Sequence, residues 1–219
     1  MLIGHFGMEA LYSFVIIVCS LMIYASTKEL YALSNHKGIK YFRLAFLFLA
    51  FAYTARIFTK FLIHYLSLTR IIDIPHNSTH FIAGQLSTIA STYFSAIAIL
   101  FLLYSIIHKH WKNDKNKIYI IHALAITLTI PIITHNPLSH LIINLILLLL
   151  IILAFIISKR TSKNSLHLIY SLIIIFWTTN ILDIIVPNFL KGFQLLIYLI
   201  SLTIFLTILY KVLKRTGMT

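Results

Sequence analysis

Long apolar runs, separated by short polar segments, recur along the whole chain. The runs are continuous and do not alternate with a period of two, so they predict helices rather than the strands of a barrel. Each run is long enough to cross about 30 Å of hydrocarbon at about 1.5 Å per residue, with the fourth near the lower limit. The sequence therefore predicts an all-α, polytopic membrane protein with seven transmembrane helices. The predicted spans are residues 6–26, 42–66, 81–107, 118–134, 141–158, 166–186 and 193–213.

The composition supports a membrane location. Of the 219 residues, 60% are hydrophobic and 11% are charged, whereas a soluble domain carries about 25% charged residues. Seven spans with short connections use nearly the whole length, so residues 1–219 are predicted to form one seven-helix domain. The first run is expected to remain as a span, because Glu9 lies near its start and Lys28, rather than a cleavage site, follows it.

The positions of the basic residues predict the orientation. Fourteen of the 18 Lys and Arg residues lie in the first, third and fifth connections and the C-terminal segment, against two in the other connections. By the positive-inside rule, the N-terminus is outside and the C-terminus is in the cytoplasm, in a multi-pass protein of the cell membrane. The fourteen are Lys28, Lys37, Lys40, Arg43, Lys109, Lys112, Lys115, Lys117, Lys159, Arg160, Lys163, Lys211, Lys214 and Arg215.

This orientation also explains the formal net charge of +13. Basic residues beside the cytoplasmic leaflet are attracted to anionic inner-leaflet lipid by about 1 kcal/mol each. A basic face of this kind could also dock an acidic cytoplasmic or membrane protein partner. Nucleic acid is not an expected partner.

Four ionisable side chains fall inside predicted spans, where charge is costly and normally faces the bundle interior. Arg56 and Lys60 are one turn apart on the second span, Glu9 begins the first, and Asp183 lies near the outer end of the sixth. Counted from the cytoplasmic ends at about 1.5 Å per residue, all four lie about 20–28 Å into the membrane. Two acids and two bases at this outer level predict a charge-balanced cluster.

Polar residues at three- and four-residue steps continue this level along several spans. The fifth span is almost purely aliphatic and is expected to face lipid instead. The polar stripes are Glu9, Ser13, Ser20 and Tyr24; Tyr53, Arg56, Lys60 and His64; Gln85, Thr88, Thr92 and Ser95; Trp177, Thr179, Asn180 and Asp183; and Gln194, Tyr198 and Ser201.

Two interpretations of the cluster stay open. In the first, the acids pair with the bases and lock the first, second and sixth helices together, while Ser and Thr act as ordinary interhelical hydrogen-bonding groups. In the second, the same level forms an outward-facing pocket for a small polar ligand or a transported ion. The residues assigned to the cluster or pocket are Glu9, Arg56, Lys60, Asp183, His64, Gln85, Thr88, Trp177, Asn180 and Tyr198.

Eleven histidines are a second unusual feature. His76 and His80 are weak candidates for a metal site, although Pro75 argues against a regular helix there. Three others lie at the inner ends of spans, too near the interface for haem, and no cofactor is predicted. The outer histidines are His5, His64, His76, His80, His135 and His140, and the inner ones are His108, His122 and His167.

An enzyme is not favoured. The last span has no lysine before Lys211, which argues against a retinal pigment. The H-E-x-x-H, G-x-S-x-G and Walker motifs are absent, and a single cysteine, Cys19, allows no intramolecular disulfide. The triplet that begins at Asn77 matches an N-glycosylation acceptor in an outer loop.

Three functions follow. A receptor- or sensor-like module that signals through a partner protein is favoured, on the odd number of spans, the polar outer pocket and the short loops, which is an analogy of architecture alone. A small transporter or channel fits the intramembrane charges, although no inverted repeat is visible and the chain has only 6 Gly and 4 Pro. A structural subunit of a larger membrane complex fits the aliphatic fifth span.

Overall fold

The computed structural model describes residues 2–69, 76–108, 116–134, 136–161, 166–186 and 191–217. Every regular element within them is helical, and seven stretches are long and apolar enough to cross a membrane, which confirms the predicted fold class of a multi-pass helical protein. A 3-10 helix, Ile130–Thr134, continues the fourth α-helix. The α-helices are α1 (Leu2–Ser34), α2 (Lys37–Thr69), α3 (His76–Ile107), α4 (Lys117–Thr129), α5 (Pro137–Thr161), α6 (Leu166–Ile185) and α7 (Lys191–Thr216).

The first three helices are longer than their predicted spans. They contain 33, 33 and 32 residues, and a helix needs about 20 residues to cross the hydrocarbon. Between α1 and α2 the chain turns within two residues, because Asn35 adopts a left-handed conformation with φ of 48° and donates its N–H to the Tyr31 carbonyl at 2.8 Å. Asn tolerates this conformation better than most residues with a side chain.

Six helices form a closed ring. Around it α1 contacts α2, α2 contacts α3, α3 contacts α5, α5 contacts α6, α6 contacts α7, and α7 returns to α1. The end of the bundle at which α1 begins and α2 ends is called the site end below. The opposite end, where α1 ends and α2 begins, is called the basic end, because the described members of the fourteen basic residues lie there.

The fourth helix lies outside the ring against α3. Its α-helical part stops just before Pro131, which has no N–H to donate and clashes with the preceding turn, so the chain continues as a 3-10 helix.

The prediction that the fifth span faces lipid is wrong for one of its faces. Helix α5 occupies a place in the ring and buries Ile143, Asn144, Leu147 and Ile151.

The start of α3 also differs from expectation. A regular helix covers His76 to His80, because a proline that precedes the first helical residue removes no helical hydrogen bond. At the other end of α3, Gly38 of α2 approaches so closely that an added Cβ would lie 2.7 Å from the Ser105 carbonyl oxygen. The absence of a side chain at Gly38 therefore allows α2 and α3 to approach closely at the basic end.

Candidate functional site

Three of the four predicted intramembrane charges meet between α1, α2 and α6. The Nε atom of Arg56 lies 4.0 Å from Glu9 Oε1, and a terminal guanidinium nitrogen lies 3.9 Å from Asp183 Oδ2. We call these three residues the charge cluster. Both distances exceed the usual hydrogen-bond range of about 2.7–3.2 Å, so they are ion pairs without direct hydrogen bonds.

Next to the charge cluster, towards the basic end, two tyrosines and an asparagine join the same three helices. The Tyr53 hydroxyl donates to Asn180 Oδ1 at 3.1 Å, and the Tyr12 hydroxyl donates to the same oxygen at 3.4 Å. The ring of Tyr12 is stacked on the ring of Tyr198 from α7, with their centroids 4.9 Å apart. Tyr12 and Tyr53 are buried, so α1, α2, α6 and α7 share one polar and aromatic layer.

A cavity of about 320 Å³ begins on the other side of Arg56, between α2, α3, α5 and α6. Helix α3 supplies five hydroxyl side chains to this cavity. We call this space the hydroxyl cavity. Among the described residues that line it, one is charged, Arg56, and one is a histidine, His140. The lining residues are Ala52, Tyr53, Arg56, Gly84, Ser87, Thr88, Ser91, Thr92, Ser95, His140, Asn144, Leu147, Trp177, Asn180 and Ile184.

Three of the α3 hydroxyls already donate hydrogen bonds to backbone carbonyls. Thr88 donates to Gly84 at 2.9 Å, Ser91 to Thr88 at 3.2 Å, and Ser87 across the interface to Ala55 of α2 at 3.4 Å. Each of these oxygens therefore faces the cavity as a hydrogen-bond acceptor. Within the described part of the chain, the hydroxyls of Thr92 and Ser95 have no hydrogen-bond partner, although Thr92 is only 5% exposed.

The opposite wall is also rich in acceptors. The side-chain amide of Asn144 donates to the His140 carbonyl at 2.8 Å, which leaves its Oδ1 atom as an acceptor. The indole N–H of Trp177 is used as well, since it donates to the Asn144 carbonyl at 3.2 Å. Apart from Arg56, His140 and the two α3 hydroxyls without partners, the described lining residues offer few donors.

Between the cavity and the basic end lies a layer of aromatic side chains, which we call the aromatic floor. Phe176 and Phe205 have ring centroids 5.0 Å apart, and Phe46 lies 6.3 Å from Phe205. All three are at most 2% exposed. The layer that separates the hydroxyl cavity from the basic end is therefore apolar at these three residues.

The predicted site residues separate into four groups. Arg56, Thr88, Trp177 and Asn180 line the hydroxyl cavity, whereas Glu9, Asp183 and Tyr198 lie beside it in the charge cluster and the tyrosine layer. Gln85 points elsewhere: its amide donates to the Ile133 carbonyl at 3.2 Å, which ties α3 to the 3-10 helix. The side chains of Lys60, His64, His76 and His80 lie outside the described residues, as does that of Asn77.

Sequence reasoning missed several lining residues. Ser87 and Ser91 lie beside the predicted stripe of α3, and the four-residue steps through Ser87, Ser91 and Ser95 were the available signal. His140 and Asn144 stand four residues apart at the start of the aliphatic fifth span, and their polarity was outweighed by the residues after them.

Other histidines belong to helix contacts away from the cavity. His122 Nδ1 and the Tyr93 hydroxyl lie 2.9 Å apart and connect α4 to α3. At the basic end, the rings of His36 and His108 meet edge to face at 4.9 Å, and His108 Nδ1 lies 2.9 Å from the Ser105 carbonyl oxygen. No group of three or more metal-ligating side chains occurs among the described residues.

Similarity to other proteins extends over nearly the whole chain. A protein of Archaeoglobus fulgidus that carries the name "Uncharacterized protein" is 30% identical over 217 residues, which cover 94% of this chain and 92% of the relative. No family model matches the sequence, and no solved structure matches it. The name of this relative assigns no activity to it.

Proposed function

We propose that this chain, which belongs to the same family as the Archaeoglobus fulgidus protein, is a receptor-like protein of the cell membrane. It binds a small polar solute in the hydroxyl cavity and passes the occupied state to a partner protein. The observation that carries this proposal is the cavity of about 320 Å³. That volume is at the lower end of the range for ligand pockets, about 300–1,000 Å³.

The polarity of the cavity supports binding rather than simple helix association. Hydroxyl and amide groups in a membrane bundle usually face another helix, where each hydrogen bond contributes about 0.6 kcal/mol. Here five hydroxyls of α3 line one open volume, and two of them, Thr92 and Ser95, make no hydrogen bond within the described residues. Such groups gain hydrogen bonds when a polar solute enters.

The contacts of the cavity wall offer a route for a signal. Tyr53 and Asn180 line the cavity and both contact Tyr12 of α1. At the basic end of the same helix pair, Arg43 Nε donates to the Tyr24 carbonyl at 3.1 Å. A solute that shifts the tyrosine layer would therefore move α1 against α2, and that movement would reach the basic end.

The basic end is the proposed surface for the partner. Five basic side chains are exposed there: Lys28, Lys40, Lys159, Arg160 and Lys214. Such a rim attracts anionic lipid of the inner leaflet and suits an acidic face on a transducing protein.

Native mass spectrometry on protein extracted gently from its own membranes tests the binding step. We expect the added mass of one small molecule bound per chain. Ser91→Leu, which fills the cavity, should remove this mass, and Thr203→Leu on the exposed face of α7 should retain it. A bare chain, or a mass that persists in Ser91→Leu, would contradict the proposal.

A fluorophore at the basic end tests the signalling step. Ser34→Cys is exposed and native Cys19 is buried, so a thiol-reactive probe labels position 34 selectively. We expect the emission to change when extracted solute is added, and Tyr12→Phe to reduce that change. If the emission does not change when the solute binds, the protein binds a solute but the signalling step is contradicted.

A small transporter is the alternative that the structure also supports with one observation. The six-helix ring encloses a polar cavity beside intramembrane charges, as a substrate site would require. Transport needs the aromatic floor of Phe46, Phe176 and Phe205 to open. Saturable uptake of the bound solute into liposomes, abolished by Ser91→Leu, would favour this alternative over the receptor.

A further inference from the structure

The hydroxyl cavity has a definite arrangement of donors and acceptors, and this arrangement constrains its ligand. We infer that the ligand is a small zwitterion of the amino-acid type with a polar side chain. The inference rests on the proposed function, because it assigns a chemical class to the solute that this function requires. It follows from three features of the wall, taken from the site end inwards.

The first feature is Arg56 at one end of the cavity. Its contacts with Glu9 and Asp183, at 4.0 and 3.9 Å, are too long for hydrogen bonds. A guanidinium has five N–H donors in a planar fork that matches a carboxylate. An anionic acceptor on the ligand is therefore the group best able to engage Arg56 in competition with two protein carboxylates.

The second feature is a pair of acceptors at the level of Arg56. The hydrogen bond from Ser87 to the Ala55 carbonyl places α3 beside the residue that precedes Arg56. The hydroxyls of Ser87 and Thr88 already donate their hydrogen bonds to backbone carbonyls, so their oxygens accept from a ligand. An ammonium group next to the carboxylate meets these acceptors.

Charge supports the same pairing. Glu9, Asp183 and Arg56 place charges of both signs beside this end of the cavity. A free anion would bring a third carboxylate to them, and a free cation would meet the guanidinium that lines the cavity. A zwitterion leaves the net charge unchanged, which matters in a membrane where an added charge is costly.

The third feature lies deeper. Thr92 and Ser95 are five and eight residues beyond Ser87, which is about 7.5 and 12 Å along the helix axis. Neither has a hydrogen-bond partner within the described residues. A side chain that descends from the zwitterionic end therefore reaches two hydroxyls with unused hydrogen-bonding capacity, so a polar side chain is favoured over an apolar one.

The test measures binding of the twenty L-amino acids, one at a time, to the purified full chain by isothermal titration. We expect at least one with a polar side chain to bind saturably, and asparagine to bind more tightly than leucine of similar shape. For the tightest binder, the analogue that lacks the amino group and the analogue that lacks the carboxylate should each bind at least about tenfold more weakly.

Variants assign the two ends. Arg56→Gln should weaken binding of the intact amino acid by about tenfold or more, while binding of the analogue without a carboxylate stays unchanged. Thr92→Val should reduce the preference for a polar side chain by about two- to tenfold. Thr203→Val, at an exposed position of α7 away from the cavity, is the matched control. If Arg56→Gln does not fold, Arg56→Lys and the analogue series on the natural protein give the same answer.

A protection assay separates this inference from the proposed function. Ser91→Cys places a thiol in the cavity, and its modification by a small methanethiosulfonate is measured with amino acids or with a total metabolite extract. Protection by the extract but by no amino acid would overturn the zwitterion and keep a binding cavity. Protection by neither would overturn both, whereas protection by the amino acid that binds in titration supports both.

Discussion

The Tyr53 hydroxyl donates a hydrogen bond of 3.1 Å to Asn180 Oδ1, and this same oxygen accepts from Tyr12 at 3.4 Å. One atom of α6 therefore holds side chains from both α1 and α2. The Asn180 amide nitrogen is fixed in turn by the Phe176 carbonyl at 3.2 Å, so the oxygen is held towards the two tyrosines.

Replacing this acceptor should weaken the bundle. Asn180→Leu removes the oxygen that accepts from both buried tyrosine hydroxyls. One hydroxyl can then donate to the other, but the second has no acceptor, and a buried polar group without a partner costs about 1–3 kcal/mol. The free energy of unfolding in mild detergent measures the loss. Thr178→Val on the same helix removes only a bond to its own helix and is the control. Equal stability of the two variants would show that the shared acceptor contributes nothing.

The charge cluster should show energetic coupling. In a double-mutant cycle, Arg56→Gln and Asp183→Asn are each expected to lower stability, and the double variant should lose less than the sum. Residues in one ion-pair network typically couple by about 0.5–3 kcal/mol. The long separation of 3.9 Å favours the lower part of that range. Strictly additive losses would mean that the two groups do not interact directly.

Gly38 should be intolerant of any side chain. Its Cβ would lie 2.7 Å from the Ser105 carbonyl oxygen, a backbone atom, so α2 and α3 must separate. Gly38→Ala should destabilise the protein by about 1–3 kcal/mol, as overpacking generally does. Gly192→Ala on α7 has open space around the new methyl group and should be neutral or slightly stabilising. The prediction fails if both variants melt at the same temperature.

The local stability of helix α4 should depend on the hydrogen bond between Tyr93 and His122, whereas the stability of the six-helix ring should not. Tyr93→Phe removes the 2.9 Å contact with His122, and a loss of about 0.6 kcal/mol corresponds to about a threefold increase in local opening. Hydrogen exchange of residues 117–134 should accelerate by that factor. Residues 12–24 of α1 are the internal reference, and acceleration of both segments alike would indicate a global rather than a local effect.

The orientation predicted from the basic residues is open to a direct check. Ser34→Cys at the basic end and Asn136→Cys at the site end are both exposed, while native Cys19 is buried. A membrane-impermeant maleimide applied to intact cells should label position 136 and reach position 34 only after permeabilisation. The reverse pattern would invert the proposed outer position of the hydroxyl cavity.

Much of this architecture could be predicted from the sequence, because lipid imposes strong rules on composition. The seven spans follow from apolar length. The meeting of Glu9, Arg56 and Asp183 follows from their similar depth and from the cost of charge in hydrocarbon.

The neighbours of each helix could not be predicted in the same way. Depth along a helix follows from counting residues, but the order of helices around a bundle depends on how side chains fit together across interfaces. The position of α4 outside the ring and of α5 within it could therefore not be predicted from the sequence. The contributions of His140 and Asn144 to the cavity were missed for this reason.

The two acids beside Arg56 come from opposite ends of the chain, and this has a consequence for biosynthesis. A ribosome delivers Glu9 and then Arg56 within the first two helices, so the guanidinium can enter the bilayer with one counter-charge already at hand. Asp183 arrives more than a hundred residues later, with α6. Arg56 therefore has only one of its two neighbouring acids until α6 is inserted, and the second acid joins it when α6 takes its place in the ring.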